Sequence, residues 1–232
     1  MLLVVQTGTT HLHGDYPAWF ARALGAQMPV CRAFADEKLQ ASLDAHRPSG
    51  IIVSGSPLSV TSEEPWMLQL GSDLLRAAAR GTPVLGVCFG HQLLARAAGG
   101  GVIVNPRGRE IGTVQIQLTE AGQRDPLFAS WADAEKVDVQ ATHLDAVDPL
   151  PPGAVILASN ENSAVQAYRL SETVAGVQFH PELSAQGMRD LILSRRDKLA
   201  AEGRDASALA AAVHEVKAAA ILYAFAAQAE HA

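Results

Sequence analysis

Gly86-Val87-Cys88-Phe89-Gly90-His91-Gln92 follows the apolar run Val84-Leu85 and opens a helical stretch, Leu93 to Ala98. The order strand, sharp turn, helix puts a thiol at the apex. A nucleophile on such a turn is pushed out beyond the sheet, and flanking glycines let the backbone adopt a strained geometry without side-chain clashes. The first free N–H groups of the following helix and its dipole favour negative charge at that point. A lone cysteine is more often a small buried residue; the two glycines and the strand-to-helix setting reverse that reading for Cys88.

On either side of the elbow the chain alternates. Leu2 to Gln6 reads as a strand, Thr7 to Gly14 as a polar loop, and a helix starts at Asp15 with Pro17 in its first turn and Trp19, Phe20 and Leu24 inward. Pro29 to Phe34 predicts a second strand, Lys38 to His46 a helix, Gly50 to Val53 a short strand apolar throughout, and Pro65 to Arg80 a helix closed by Gly81. Glycines 99 to 101 end the elbow helix. This predicts an α/β fold: an open, mostly parallel central sheet with helices on both faces, a three-layer flavodoxin-like arrangement. Past Gly101 the segments Val102–Asn105, Glu110–Leu118, Val137–Thr142, Val155–Ala158, Val165–Tyr168 and Thr173–Phe179 are β-like with little helix between them, so the sheet should become mixed. Two helices are expected at the end, Leu183–Ala201 and Ala206–Ala227. The second carries Leu209, Val213, Val216 and Ala220 as an apolar stripe that packs on its own domain or on a partner.

With 232 residues, 48% of them hydrophobic, one catalytic unit is expected. The net charge of −6 argues against nucleic acid and anionic membrane as partners. The two cysteines, far apart, read as free thiols in a reducing compartment, and Cys31 as a core residue. Met1 to Val5 lacks a basic leader region and reads as a strand, which makes the cytoplasm the expected location. Ala218 to Ala227 is too short to cross a membrane. Neither common phosphate-binding glycine spacing occurs.

A cysteine nucleophile needs a base and a group that orients the base. Of eight histidines, His180 ends the apolar run Val174 to Phe179 and precedes Pro181 and Glu182. Functional residues of open α/β sheets collect beyond the carboxyl ends of the strands, where Cys88 also lies, and Pro181 fixes how Glu182 returns toward the imidazole. His91 is too local to reach the thiol well and is expected to hydrogen-bond within the elbow helix. His11 and His13 could ligate a metal, but no further ligands complete a set, so no metal is expected.

The elbow heptapeptide, together with Gly176-Val177-Gln178-Phe179-His180-Pro181-Glu182, resembles the triad-type (class I) glutamine amidotransferases. Ile51-Ile52-Val53-Ser54-Gly55-Ser56-Pro57 is similar to the loop that supplies an oxyanion donor in that family. The stretches Leu58-Ser59-Val60 and Glu64-Pro65-Trp66 are similar to free-standing members related to the amidotransferase part of GMP synthase. Thr142-His143-Leu144-Asp145 matches, less tightly, the segment that contacts the glutamine backbone. The resemblance spans roughly residues 1–190, taken as an amidotransferase-like domain, and leaves 191–232 as a helical extension.

It implies Cys88 as nucleophile, His180 as base and Glu182 as its orienter, with the N–H groups of Phe89 and Ser56 as oxyanion hole. Gly55, Gln92, Thr142, His143, Leu144 and Asp145 would bind substrate, and no cofactor is implied. The family usually has glycine where this chain has Ser56, and a Cβ restricts how that N–H can be turned. Three functions stay open: an amidotransferase that hydrolyses glutamine and passes ammonia to a separate synthase subunit; a stand-alone hydrolase of γ-glutamyl compounds; and a binding module without turnover. Folding demands none of Cys88, His180 and Glu182 together, which argues against the third.

Overall fold

Alternate residues of the central strands face opposite ways, and both sets are apolar, so the sheet needs helices on both faces. The computed structural model describes residues 1–10, 12 and 15–231, which leaves His11 and His13 outside the described residues. In chain order the strands are β1 (Leu2–Gln6), β2 (Val30–Arg32), β3 (Gly50–Val53), β4 (Val84–Val87), β5 (Val102–Val104), β6 (Glu110–Leu118), β7 (Lys136–His143), β8 (Asp145–Val147), β9 (Val155–Ser159), β10 (Ala167–Ser171) and β11 (Val174–Val177). The helices are α1 (Asp15–Leu24), α2 (Leu39–His46), α3 (Pro65–Ala79), α4 (Phe89–Ala97), α5 (Glu120–Arg124), α6 (Ala185–Ser194), α7 (Arg196–Ala201), α8 (Ala206–Ala212) and α9 (Ala220–Glu230).

Nine strands form one sheet in the order β2-β1-β3-β4-β11-β10-β9-β6-β7. It is parallel from β2 to β11 and antiparallel beyond. The sheet is thus mixed, as the change of pattern after Gly101 leads one to expect. Leu3, Val5, Ile51, Val53 and Val84 pack with Met67, Leu70 and Leu74 of α3 and Leu93 of α4. Leu2, Val4, Ile52, Leu85 and Val87 pack on the other face with Phe20 of α1, Leu191 of α6, Ala210 of α8 and Phe225 of α9. Residues beyond 190 therefore share one apolar cluster with the first strand. β5 and β8 make a separate two-stranded ribbon.

The glycines of the elbow have a tighter reason than conformational freedom. A Cβ on Gly90 would lie 2.5 Å from the carbonyl oxygen of Val53, and one on Gly86 2.5 Å from the carbonyl of Gly90. The start of α4 is pressed directly onto β3 and β4, and it is Cys88 itself, not a glycine, that takes the positive φ of 51°.

The final helical segment departs from expectation. The stripe Leu209, Val213, Val216, Ala220 does not lie on one helix: α8 ends at Ala212 and α9 begins at Ala220. Val213 is extended, with φ −68° and ψ 133°. Side chains of the domain take over the freed backbone groups: Arg189 Nη2 donates to the Val213 carbonyl (2.6 Å), Gln140 Nε2 donates to that of His214 (2.8 Å), and His214 N donates to Thr113 Oγ1 (3.1 Å). Captured carbonyls substitute for the helical ladder, and Val213 still buries its side chain in the domain's own cluster. The segment expected as Leu183–Ala201 likewise divides at Arg195 into α6 and α7. Among the described residues no helix is long and apolar enough to cross a membrane.

Candidate active site

Register brings the two chemistry-bearing segments together. β4 and β11 are adjacent and parallel, with Val87 opposite Val177, and Cys88 N donates to the Val177 carbonyl at 2.9 Å. Cys88 therefore stands one residue past the end of β4, and His180 three past the end of β11. The antiparallel wing curls back over this end: His180 N donates to the Gln140 carbonyl of β7 (2.7 Å), and Cys88 Sγ is 3.8 Å from the carbonyl oxygen of Thr142. The thiol is buried, 6% exposed. Its φ of 51° with ψ of −100° lies where L-residues rarely settle, a strain the tight packing of α4 holds in place.

His180 is buried, and its Nδ1 lies 2.6 Å from Glu182 Oε1. Its Nε2 is buried outside ordinary hydrogen-bond geometry, yet the Cys88 thiol acts on it. Burial works against the imidazolium, but the carboxylate of Glu182 and the Cys88 thiol outweigh it and raise the pKa of His180 above the usual histidine range. The arrangement can hold a thiolate and an imidazolium side by side.

Gly55 lies against this pair: a Cβ there would be 2.8 Å from His180 Cε1 and 3.1 Å from Tyr16 Cε1. The loop Ser54–Ser56 is tied to the end of β1, with Thr7 Oγ1 donating to the Gly55 carbonyl (3.0 Å) and Ser56 Oγ donating to the Thr7 carbonyl (3.0 Å). Ser56 is not among the residues of positive φ, so its Cβ carries no backbone strain. Among the described residues, neither Ser56 N–H nor Phe89 N–H donates a hydrogen bond. The Phe89 ring stacks on Trp66 with centroids 6.3 Å apart, which fixes the first turn of α4.

Gln92 Nε2 donates to the Asp145 carbonyl (2.9 Å) and to Gln178 Oε1 (3.0 Å). Both amide hydrogens are thus spent on the protein, leaving Oε1 as the free end. The segment Thr142–Asp145 is held on several sides. His143 Nδ1 meets the Asp145 carbonyl and its Nε2 meets Glu110 Oε2, each at 2.9 Å; the Leu144 carbonyl accepts from Asn105 N (2.9 Å); and the Asp145 carboxylate accepts from the Ser59 hydroxyl. Burial opposes ionisation of Glu110, but His143, Asn160 and Gln166 more than offset it and pull its pKa below the usual carboxylate range.

His91 departs from expectation. Its ring nitrogens find no partner in ordinary hydrogen-bond geometry and none within the elbow helix; the ring lies 4.7 Å from that of Tyr168, and the Gly176 backbone on β11 is its polar neighbour. Burial lowers its pKa to about 3, so it stays neutral packing material. Cys31 is fully buried. No group of three or more His, Cys, Asp or Glu among the described residues could hold a metal. Tyr16 and Arg195 join the site without a sequence signal. Tyr16 is a buried phenol whose pKa is pushed up, chiefly by burial and further by its neighbours Cys88, Glu182 and Asp15, so it remains protonated. Arg195 donates from Nη1 to Thr142 Oγ1 at 2.6 Å; only the curl of the sheet brings it near.

Over residues 20–197 the chain matches the model of the glutamine amidotransferase class-I family. It is 36% identical over 188 residues to a GMP synthase (glutamine-hydrolyzing) of Marinobacter nauticus, across 76% of this chain and 34% of that protein. It is 29% identical over 195 residues to gamma-glutamyl peptidase 4 of Arabidopsis thaliana, across 82% of this chain and 75% of that one. The crystal structure of a glutamine amidotransferase from Thermotoga maritima has the same fold, with a TM-score of 0.80 at 20% identity over 100% of this chain and 99% of that one. The chain belongs to the class-I glutamine amidotransferase family. It spans less than two thirds of the length of several curated relatives it matches, and about a third of the GMP synthase.

Proposed function

We propose that the protein hydrolyses the side-chain amide of glutamine, or of a γ-glutamyl compound, through a thioester on Cys88. The observation that carries this is the buried His180, bonded through Nδ1 to Glu182 and drawn toward its protonated form by both Glu182 and Cys88. The Cys88 thiolate attacks the amide carbon, and the oxygen that becomes negative is met by the N–H groups of Phe89 and Ser56. Removing one such donor typically costs about 100- to 1,000-fold in rate. The imidazolium of His180 gives its proton to the departing nitrogen as the C–N bond breaks. Neutral His180 then takes a proton from water, whose oxygen attacks the thioester carbon, and the thiolate leaves. Water and amide become glutamate and ammonia or amine. Gly55, Gln92, Thr142, His143, Leu144 and Asp145 shape the place where the glutamyl group lies, and residues 1–190 carry the chemistry with 191–232 as a helical extension.

Two leaving groups are compatible with the site. Similarity to GMP synthase favours ammonia, passed to an acceptor on a separate synthase subunit. The gamma-glutamyl peptidase relative, matched over most of its own length, favours an amine or peptide as the leaving group. Glutamate release from glutamine and from γ-glutamyl dipeptides separates the two, since activity on the dipeptides alone rejects the first. Labelling by a glutamine-analogue electrophile tests the shared step. Failure to modify Cys88, with Cys88→Ser leaving every activity unchanged, would establish the silent binding module instead.

A further inference from the structure

Arg195 sits in the break between α6 and α7, with φ −102° and ψ 17°, and its guanidinium turns inward to the end of β7. Nη1 donates to Thr142 Oγ1 at 2.6 Å, and the carbonyl oxygen of the same Thr142 is 3.8 Å from Cys88 Sγ. One residue therefore separates this cation from the nucleophile. Other buried or half-buried arginines are matched: Arg109 Nε lies 2.9 Å from Glu202 Oε2, and, at the far end of the sheet, Arg169 Nη2 lies 2.6 Å from Asp125 Oδ1. Arg195 forms no ion pair among the described residues, although burial pulls its pKa down, which marks a cation partly withdrawn from water. The groups acting on it are Tyr16, Arg109, Cys88 and Glu202. Tyr16 stays protonated, Arg109 repels it, and Glu202 is already engaged by Arg109. A partly desolvated guanidinium with spare donors and no carboxylate of its own lacks the partner that would offset its desolvation. Carboxylates are the groups its planar fork matches best.

We infer that Arg195 reads a carboxylate of the substrate beside the reacting carbonyl, so that the protein selects γ-glutamyl compounds carrying an anionic group close to the scissile amide. The substrate part of this inference rests on the function proposed above. The carboxylate has two sources, the α-carboxylate of the glutamyl unit or one on the amine side of the amide. Either lies a few bonds from the carbon that Sγ attacks. A purely structural Arg195 would pin the α6–α7 break to β7 and leave substrate charge unread.

Two measurements on the purified chain decide it. In the first, Cys88 is alkylated with iodoacetate and with iodoacetamide, two reagents of similar size that differ in charge. Arg195→Ala should lower the iodoacetate-to-iodoacetamide rate ratio by about tenfold, and Arg195→Lys, which keeps the charge, should restore much of it. In the second, kcat/KM for glutamate release is compared between L-glutamine and its α-carboxamide, and between γ-glutamylglycine and γ-glutamylglycinamide. Arg195→Ala should cost about 10- to 100-fold for substrates bearing the recognised carboxylate and almost nothing for the amide lacking it, chiefly through KM. The pair whose discrimination collapses names the source. An unchanged alkylation ratio with glutamate release intact overturns the Arg195 inference alone, as does an equal loss on all four substrates. A shifted ratio in a protein that releases no glutamate overturns the proposed function and leaves the anion site standing. A thiol inert to both reagents overturns both.

Discussion

Adding one methyl group at residue 55 should stop turnover while leaving the fold in place. A Cβ on Gly55 would lie 2.8 Å from His180 Cε1 and 3.1 Å from Tyr16 Cε1. Carbon atoms rest about 3.5–4.0 Å apart, so the imidazole must retreat by roughly 0.7 Å or more. It has little room to do so: its main chain is pinned to Gln140 at 2.7 Å and its Nδ1 to Glu182 at 2.6 Å. The retreat must come from the Nε2 side, the side on which the proton travels. Misplacement of about 1 Å can cost about 100-fold, and overpacking costs about 1–3 kcal/mol of stability. Gly55→Ala should therefore lower kcat for glutamate release by about 30- to 100-fold and urea-unfolding stability by about 1–2 kcal/mol. The α-helical circular dichroism should not change. A folded Gly55→Ala protein with kcat within about threefold of wild type would show that His180 does not need the position this contact gives it.

Other expectations follow from the same contacts. Glu182→Gln removes the charge that holds His180 protonated and should lower kcat by about 1,000-fold. The basic limb of the pH–rate profile should move to lower pH in that variant. Because the folded pKa of His180 is raised, its contribution to stability is full below the unfolded value of about 6.5 and is lost as pH rises through the folded one. Wild type should therefore lose more stability than Glu182→Gln in urea unfolding between neutral and alkaline pH. Glu110 has the opposite sign: its lowered pKa contributes stability above the unfolded value of about 4.3, and that contribution disappears as pH falls through the folded value. Glu110→Gln should cost about 1–3 kcal/mol near pH 7, with the gap from wild type closing on acidification. Gly90→Ala, whose Cβ would meet the Val53 carbonyl at 2.5 Å, should cost about 3 kcal/mol or more and show as loss of soluble protein or a lowered thermal midpoint.

The parallel half was legible because its central strands β1, β3, β4 and β11 are short, almost wholly apolar runs between turn residues, as burial on both faces requires. The elbow and the imidazole–carboxylate pair were legible because each is contiguous in sequence, and adjacency of β4 and β11 then places one beside the other. What pairs at long range was not. The strand Asp145–Val147 carries no strand signal of its own in the sequence, since its partner Val102–Val104 lies over forty residues earlier. The break at Val213 depends on Arg189 and Gln140 reaching carbonyls that a helix would have kept. Arg195 carries no local signal, because its relation to Cys88 runs through Thr142 on another strand. Serine at 56, where the resembled family usually has glycine, does not take a positive φ, so its Cβ brings no backbone strain.

The curl of the sheet means that one wall of the site is hung from the far end of the chain. Thr142, whose carbonyl faces the thiol, is gripped by Arg195, and Gln140, whose carbonyl holds His180, reaches with its side chain to the backbone of His214. A shift of the segment after residue 190 therefore pulls on the walls around Cys88. A protein or ligand that levers on those helices from outside would reach the walls around the nucleophile through these two hydrogen bonds.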